Sequence, residues 1–170
     1  FLGKGSGKAN TGQYNAFLGY QAGLKNTSGT NNVFIGYQTG FYNTTGGYNT
    51  FLGYQAGLKN NTSYNSFIGY QAGKANTSGQ FNSFIGYNSG LSNTTGGTNV
   101  FIGNESGRTN TTGTSNVFLG NLAGYTNNAN NNAFIGNESG VLFLRCNHAL
   151  FRKRQSGHNP RFWFWQRRKI

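Results

Sequence analysis

Residues 32–40 read Asn32-Val33-Phe34-Ile35-Gly36-Tyr37-Gln38-Thr39-Gly40, and variants of this stretch recur along most of the chain. Each copy contains a Phe-[Leu/Ile]-Gly triplet, and successive triplets are 16 or 17 residues apart. A second glycine follows the first after four residues in every copy. A fixed period of this kind indicates a repeat architecture. The triplets begin at Phe1, Phe17, Phe34, Phe51, Phe67, Phe84, Phe101, Phe118 and Phe134.

Within each copy, the residues around Phe are typical of a short β-strand, because they are apolar and bounded by Asn and Gly. The residue before Phe and the aliphatic residue after it share one strand face, and Phe takes the other. The rest of the copy is too rich in glycine for a helix. We therefore predict an all-β fold in residues 1–140, a parallel β-solenoid of nine 16–17-residue coils. At about 4.8 Å per coil, the rod would be on the order of 40 Å long.

Equivalent residues of successive coils are predicted to form ladders along this rod. Phe stacks on Phe, and asparagine amides hydrogen-bond from coil to coil as they do in cross-β assemblies. The ladder residues are Phe17, Phe34, Phe51, Phe67, Phe84, Phe101, Phe118 and Phe134, together with Asn32, Asn49, Asn65 and Asn82. A second asparagine ladder comprises Asn10, Asn26, Asn43, Asn60, Asn76, Asn93, Asn110 and Asn127.

Composition excludes several classes of protein. Charged residues are 9% and aromatic residues 16% of the chain, whereas disordered chains are rich in charge and poor in aromatics. A single Cys excludes an intramolecular disulfide framework, and no apolar run approaches the roughly 20 residues of a transmembrane helix. The chain has no Met and begins at the Phe phase of a copy, so we expect it to be a piece of a longer protein.

Residues 141–170 differ from the repeats. They hold eight cations and no acid, whereas residues 1–140 hold six cations and two acids. One interpretation is a basic, aromatic patch for an anionic membrane or nucleic acid. Another interpretation is out-of-frame translation. Residues 162–168 are Phe-Trp-Phe-Trp-Gln-Arg-Arg, and their codons read one base later give Ser or Phe alternating with Gly, residue types that are common in the repeats. We favour the frameshift hypothesis, so no specific nucleic acid is expected, and a membrane only if the tail is genuine.

The sequence offers little for catalysis or cofactor binding, and we predict neither an enzyme nor a cofactor. Glu105 and Glu138 occupy the same phase two coils apart, roughly 10 Å, but other copies place Ser, Gln or Leu near this turn. Residues 3–8, Gly-Lys-Gly-Ser-Gly-Lys, lack the GxxxxGK[ST] spacing of a phosphate loop. Cys146, His148 and His158 lie only in the tail, so we predict no metal site.

Three surface functions remain open. The column Tyr20, Tyr37, Tyr54, Tyr70 and Tyr87 is a candidate glycan contact, with packing as the alternative. Adjacent threonines such as Thr44 and Thr45 suggest ice binding, but they would point to opposite strand faces. Nine Asn-x-Ser/Thr motifs could accept glycans, although turn and ladder chemistry is the favoured interpretation. These motifs begin at Asn26, Asn43, Asn60, Asn61, Asn76, Asn93, Asn104, Asn110 and Asn137.

The short apolar-x-[Ile/Leu]-Gly strand, repeated in each coil, resembles the head repeats of trimeric autotransporter adhesins. It also resembles the repeats that precede the intramolecular chaperone domain of phage tail-fibre and related surface proteins, and the Phe-Ile-Gly-Tyr-Gln-Ala-Gly and Asn-Thr-Thr-Gly motifs are closer to this second group. The resemblance covers residues 1–140 and implies a left-handed parallel β-roll, assembled as a trimer. Val33 and Ile35 fit the inward-facing pair of the adhesin heads, whereas Phe34 stands where those heads have a small residue.

From the resemblance we expect a structural rod of a bacterial surface adhesin or a tail fibre, extracellular or on a virion, that mediates attachment. The expected partners are further copies of the chain, as a homotrimer, and a host-surface glycan or protein. The residues alone add one constraint: Phe and the Val/Ile pair lie on opposite strand faces, so both cannot enter one roll interior. One of them must meet another subunit.

Overall fold

The computed structural model describes residues 1–141, and every strand in that part of the chain has three residues. The predictions for the basic tail, including the frameshift, fall outside the described residues. The strands are β1 (Ala16–Leu18), β2 (Val33–Ile35), β3 (Thr50–Leu52), β4 (Ser66–Ile68), β5 (Ser83–Ile85), β6 (Val100–Ile102), β7 (Val117–Leu119) and β8 (Ala133–Ile135).

The strands form one parallel sheet in the order β1 to β8, so each coil pairs only with its neighbours. The register places Phe34 opposite Phe17 on one side and Phe51 on the other, and the same match continues to β8. The predicted all-β parallel solenoid is confirmed. Nine coils was an overcount, because the triplet at Phe1 lacks a preceding residue and forms only the Leu2–Leu18 bridge. Eight strands delimit seven turns between them.

The interior is filled by the predicted phenylalanine ladder. From Phe17 to Phe134 the rings are buried, and successive centroids are 4.7–5.1 Å apart with planes within 17°. The inward pair implied by the resemblance is wrong: Val33 is 37% exposed and Phe34 is fully buried. The central side chain of the strand, Phe34, points inward, so Val33 and Ile35 lie on the outer face.

Glycine makes room for this ring. A Cβ atom added to Gly40, whose φ is 56°, would lie 2.6 Å from Cε2 of Phe34. A Cβ atom on Gly36 would lie 2.1 Å from the carbonyl oxygen of Gly53 in the next coil. The first glycine of each copy therefore lets backbones approach along the rod, and the second forms the wall against which Phe packs.

Two asparagine ladders connect successive coils outside the strands, and both are buried over most of their length. In the ladder of Asn26, Asn43 and Asn60, each side-chain Nδ2 donates to Oδ1 of the coil before. Nδ2 of Asn43 also donates to the carbonyl of Gly46 at 2.8 Å. The predicted amide-to-amide chain is confirmed here. Each such amide hydrogen-bonds both to a carbonyl of its own turn and to the amide of the neighbouring coil. The buried polar groups therefore have hydrogen-bond partners.

The other ladder bonds differently from the prediction. Oδ1 of Asn32 accepts the backbone N–H of Asn49 at 3.0 Å, and its Nδ2 donates to the carbonyl of Gly46 at 2.9 Å. Asn49 repeats the same pattern towards Asn65 and Thr62. These side chains connect one coil to the backbone of the next rather than to another amide along most of the ladder.

Candidate functional site: the outer face of the roll

The outer face of the sheet is largely apolar and carries no charge. It comprises the residues directly before and after each strand phenylalanine; those before it are Ala, Val, Thr or Ser, and those after it are Leu or Ile. Leu52 and Leu119 on this outer face are 43% and 42% exposed. An exposed or half-buried Leu or Ile follows Phe in every strand. These side chains form a continuous apolar row along the rod, whereas the exposed apolar residues of an ordinary surface are scattered singly.

The predicted tyrosine column lies beside this outer face. Tyr20, Tyr37, Tyr54, Tyr70 and Tyr87 are 40–50% exposed. Their rings stack with centroids 5.0–5.2 Å apart and planes within 13°. Each of the three middle rings has a tyrosine on both sides, so it presents mainly its edge and hydroxyl. The two end rings have a ring neighbour on one side only. Beyond Tyr87, Asn104, Asn121 and Asn137 continue the column as hydrogen-bonded amides.

A second aromatic column, which the sequence analysis missed, flanks the other side of the strands. Tyr48, Tyr64 and Phe81 stand three residues before their strand phenylalanines. Their ring centroids are 5.2 and 5.1 Å apart. Aligning the copies on Phe would have revealed it. Both columns lose their aromatic residues after the coil that contains β5, where Thr98 follows Phe81 and Asn104 follows Tyr87.

A glutamine ladder runs next to the tyrosine column and was also missed. Nε2 of Gln38 donates to Oε1 of Gln21 at 2.9 Å, and Gln55 and Gln71 continue the chain at 3.0 and 3.1 Å. These glutamines adopt positive φ, near 53°. Left-handed backbone at a non-glycine residue is costly, and the coil accepts it at this phase in every repeat from Gln21 to Glu138.

The charged residues lie away from the outer face, with Lys4, in the tyrosine phase, the nearest to it. Lys25 lies over the Tyr42 ring with Nζ 4.5 Å from its centroid. Arg108 pairs with Glu105 at 3.5 Å within one turn, and its guanidinium also contacts the Tyr125 hydroxyl. Glu105 is thus engaged with a cation three residues away.

The other sequence candidates take structural positions. Gly7 packs against the Phe1 ring as the second glycine of its copy, so residues 3–8 form an ordinary repeat turn. Within residues 1–141 no three His, Cys, Asp or Glu side chains cluster as metal ligands would. In the threonine rows, the hydroxyls of Thr27 and Thr94 donate to backbone carbonyls of the next coil, so these side chains connect successive coils.

Six of the nine Asn-x-Ser/Thr motifs begin at fully buried asparagines of the amide ladder, which favours the ladder interpretation over glycan attachment for those six. They are Asn26, Asn43, Asn60, Asn76, Asn93 and Asn110.

No protein-family model, curated protein or solved structure matches this chain, so its function is inferred from the geometry of the roll. Among the described residues, no helix is long and apolar enough to cross a membrane.

Proposed function

We propose that the chain is a structural rod that associates with copies of itself through its outer face, as part of an extracellular attachment fibre on a cell or a virion. The observation that carries this proposal is the uncharged outer strand face, which has an exposed or half-buried Leu or Ile at each of the eight described strands. Contiguous exposed apolar patches larger than a few hundred Å² mark interaction surfaces.

The dimensions of the outer face suit a protein interface. Seven strand spacings give a height of about 34 Å, and the strands with their flanking columns are about 20 Å wide. The resulting area is on the order of 700 Å², close to the roughly 800 Å² that each partner buries in a standard interface. Burying the apolar part of this surface is the main favourable term in association.

A second copy of the chain fits this outer face in period and in charge. The rows of one roll repeat at the 4.7–5.1 Å seen between phenylalanine rings, and a copy has the same repeat, so contacts made at one coil recur at the next. Residues 1–140 carry a net charge of +4, but no charged residue lies on the outer face of the strands. Two copies can therefore meet there without like-charge repulsion. The number of three subunits follows the resemblance to trimeric adhesin heads.

Sedimentation of the full chain tests this assembly. We expect a trimer at micromolar concentration for the unmodified chain. Leu52→Lys places a charge in the middle of the outer face, where a side chain that is 43% exposed in the single roll would become buried on association. This variant should sediment as a monomer with an unchanged β-type circular dichroism spectrum, because an unpaired buried charge is strongly unfavourable.

Thr109→Lys is the matched control, because Thr109 is exposed and shares its phase with Lys25 and Lys59. It should remain a trimer. A monomeric unmodified chain at micromolar concentration would end the proposal, and so would dissociation of both variants to the same degree.

Glycan binding is a second candidate function, and the ends of the tyrosine column favour it. Sugars bind aromatic rings through their C–H faces. Tyr37, Tyr54 and Tyr70 have both ring faces covered by neighbours, so sugar contact belongs to Tyr20 or Tyr87. Titration of neutral and acidic sugars, followed by NMR at these two tyrosines, tests it.

A further inference from the structure

A depression of about 480 Å³ lies at the lower, N-terminal end of the tyrosine and glutamine ladders. Its volume is within the range of about 300–1,000 Å³ that is typical of ligand sites. The first coil has Lys4 and Gly5 at the phase where the next five coils have Tyr followed by Gln or Asn. The backbone N–H of Gln21 donates to the carbonyl of Lys4 at 3.0 Å, so Lys4 lies in register beneath Tyr20. The depression is therefore the place where two side-chain ladders stop.

The end of the glutamine ladder leaves a hydrogen-bond donor at this depression. Oε1 of Gln21 accepts from Gln38, but Nε2 of Gln21 donates to no group among the described residues. The position beneath it is Gly5, where an added Cβ would lie only 3.4 Å from Cγ of Gln21. In the coils above, the same Nε2 is satisfied by a glutamine. The unused amide therefore points towards a position that has no side chain to receive it.

The remaining lining is cationic on one side and apolar on the other. Lys4 and Lys8 line the depression together with Tyr20 and Leu24. The only acidic residues in residues 1–141 are Glu105 and Glu138. Glu105 is five coils above Gln21, roughly 24 Å away, well beyond the screening length of about 8 Å at physiological salt. No carboxylate in the described part of the chain competes for these ammonium groups.

We propose that this depression binds a carboxylated sugar, a uronic or sialic acid unit of a glycan. The carboxylate lies between Lys4, Lys8 and the Nε2 of Gln21, which provide charge-assisted hydrogen bonds. The C–H face of the sugar packs on Tyr20 and Leu24. This inference deepens the glycan-binding candidate and is independent of self-association through the outer face.

The test compares glucuronic acid with glucose, which differ only in the C6 carboxylate, by NMR titration of the full chain with the Gln21 side-chain amide as the readout. We expect glucuronic acid to shift this resonance and the Tyr20 ring, and glucose to shift them at least about tenfold more weakly. The double variant Lys4→Gln/Lys8→Gln should bind glucuronic acid about tenfold more weakly or worse. The matched control Lys59→Gln should bind as the unmodified chain does.

A second variant fills the depression without removing a core residue. Lys4→Tyr together with Gly5→Gln extends both ladders by one coil, and Gly5 already has the positive φ of 73° that this phase requires. It should fold and lose the glucuronic acid response. Equal binding of glucose and glucuronic acid, or shifts confined to Tyr87, would overturn the carboxylate site and leave glycan binding in place. No response to either sugar would overturn both.

Discussion

At the scale of single residues, the roll depends on one large side chain packed against a residue that has none. Phe67 is fully buried, and a Cβ on Gly73 would lie 2.6 Å from its ring. The alternation of side chains showed in advance that Phe and its neighbours take opposite faces. It did not show which face is inside, because both are apolar; the glycine wall that decides it comes from six residues further along and is apparent only in three dimensions.

Gly73→Ala should therefore destabilise the roll by about 2 kcal/mol or more, through contact with the ring and strain at φ 58°. Phe67→Leu in the same chain should recover part of the loss by vacating space, giving a coupling energy of about 1 kcal/mol in a double-mutant cycle. Urea unfolding measures both. Gly97→Ala is the control, because other coils carry Thr, Ser or Gln at that phase. Equal losses at Gly73 and Gly97 would contradict this account.

The buried amides give a second prediction. Nδ2 of Asn76 donates to Asn60 and to the carbonyl of Gly79, and its Oδ1 accepts from Asn93. Asn76→Leu removes these three buried hydrogen bonds, each worth about 1 kcal/mol, so we expect a loss of about 3 kcal/mol in the free energy of unfolding.

Asn104→Tyr, which changes an exposed amide and extends the tyrosine column above Tyr87, serves as the comparison and should be within about 0.5 kcal/mol of the unmodified chain. A loss at Asn76 no larger than at Asn104 would show that the amide ladder does not hold the coil.

At the scale of one element, the coil is the unit of the fold. The 16–17-residue spacing predicted the register of every strand pair, because a coil can stack on its neighbour only if equivalent residues coincide. The sequence could not predict the sixteen non-glycine residues that have positive φ within residues 1–141. Residues as bulky as Tyr48 and Leu122 adopt that conformation, and neither residue type signals it.

Removing a whole coil should accordingly be tolerated. Deletion of residues 51–66 joins Thr50 to Phe67 in the same phase, and the parallel register then continues from β2 onwards. We expect a cooperative transition at slightly lower temperature, because stability in stacked repeats is close to a sum over coils and their interfaces. Deletion of residues 51–58 removes half a coil and should abolish cooperative unfolding. The two deletion variants are similar in length, so a difference between them in calorimetry reflects the phase of the repeat rather than chain length.

At the scale of the whole molecule, the repeats and the basic tail are predicted to be independent. If residues 145–170 are out-of-frame translation, deleting them should leave the melting temperature of the repeats nearly unchanged. If they are a genuine basic segment, the deletion should abolish salt-dependent binding to anionic liposomes or nucleic acid. Sequencing the coding DNA decides between the two, because an uninterrupted frame shared by independent isolates excludes the frameshift.

The direction of the backbone hydrogen bonds has a mechanical consequence. In a parallel stack such as β1 to β8, these bonds run along the rod, so tension applied between its ends pulls on them one coil at a time rather than all together. Each coil that peels away would release 16 or 17 residues, about 55–60 Å of extended chain. Stretching a single molecule should give a series of evenly spaced, low-force steps. A rod built this way would yield gradually under a sudden pull instead of unfolding all at once.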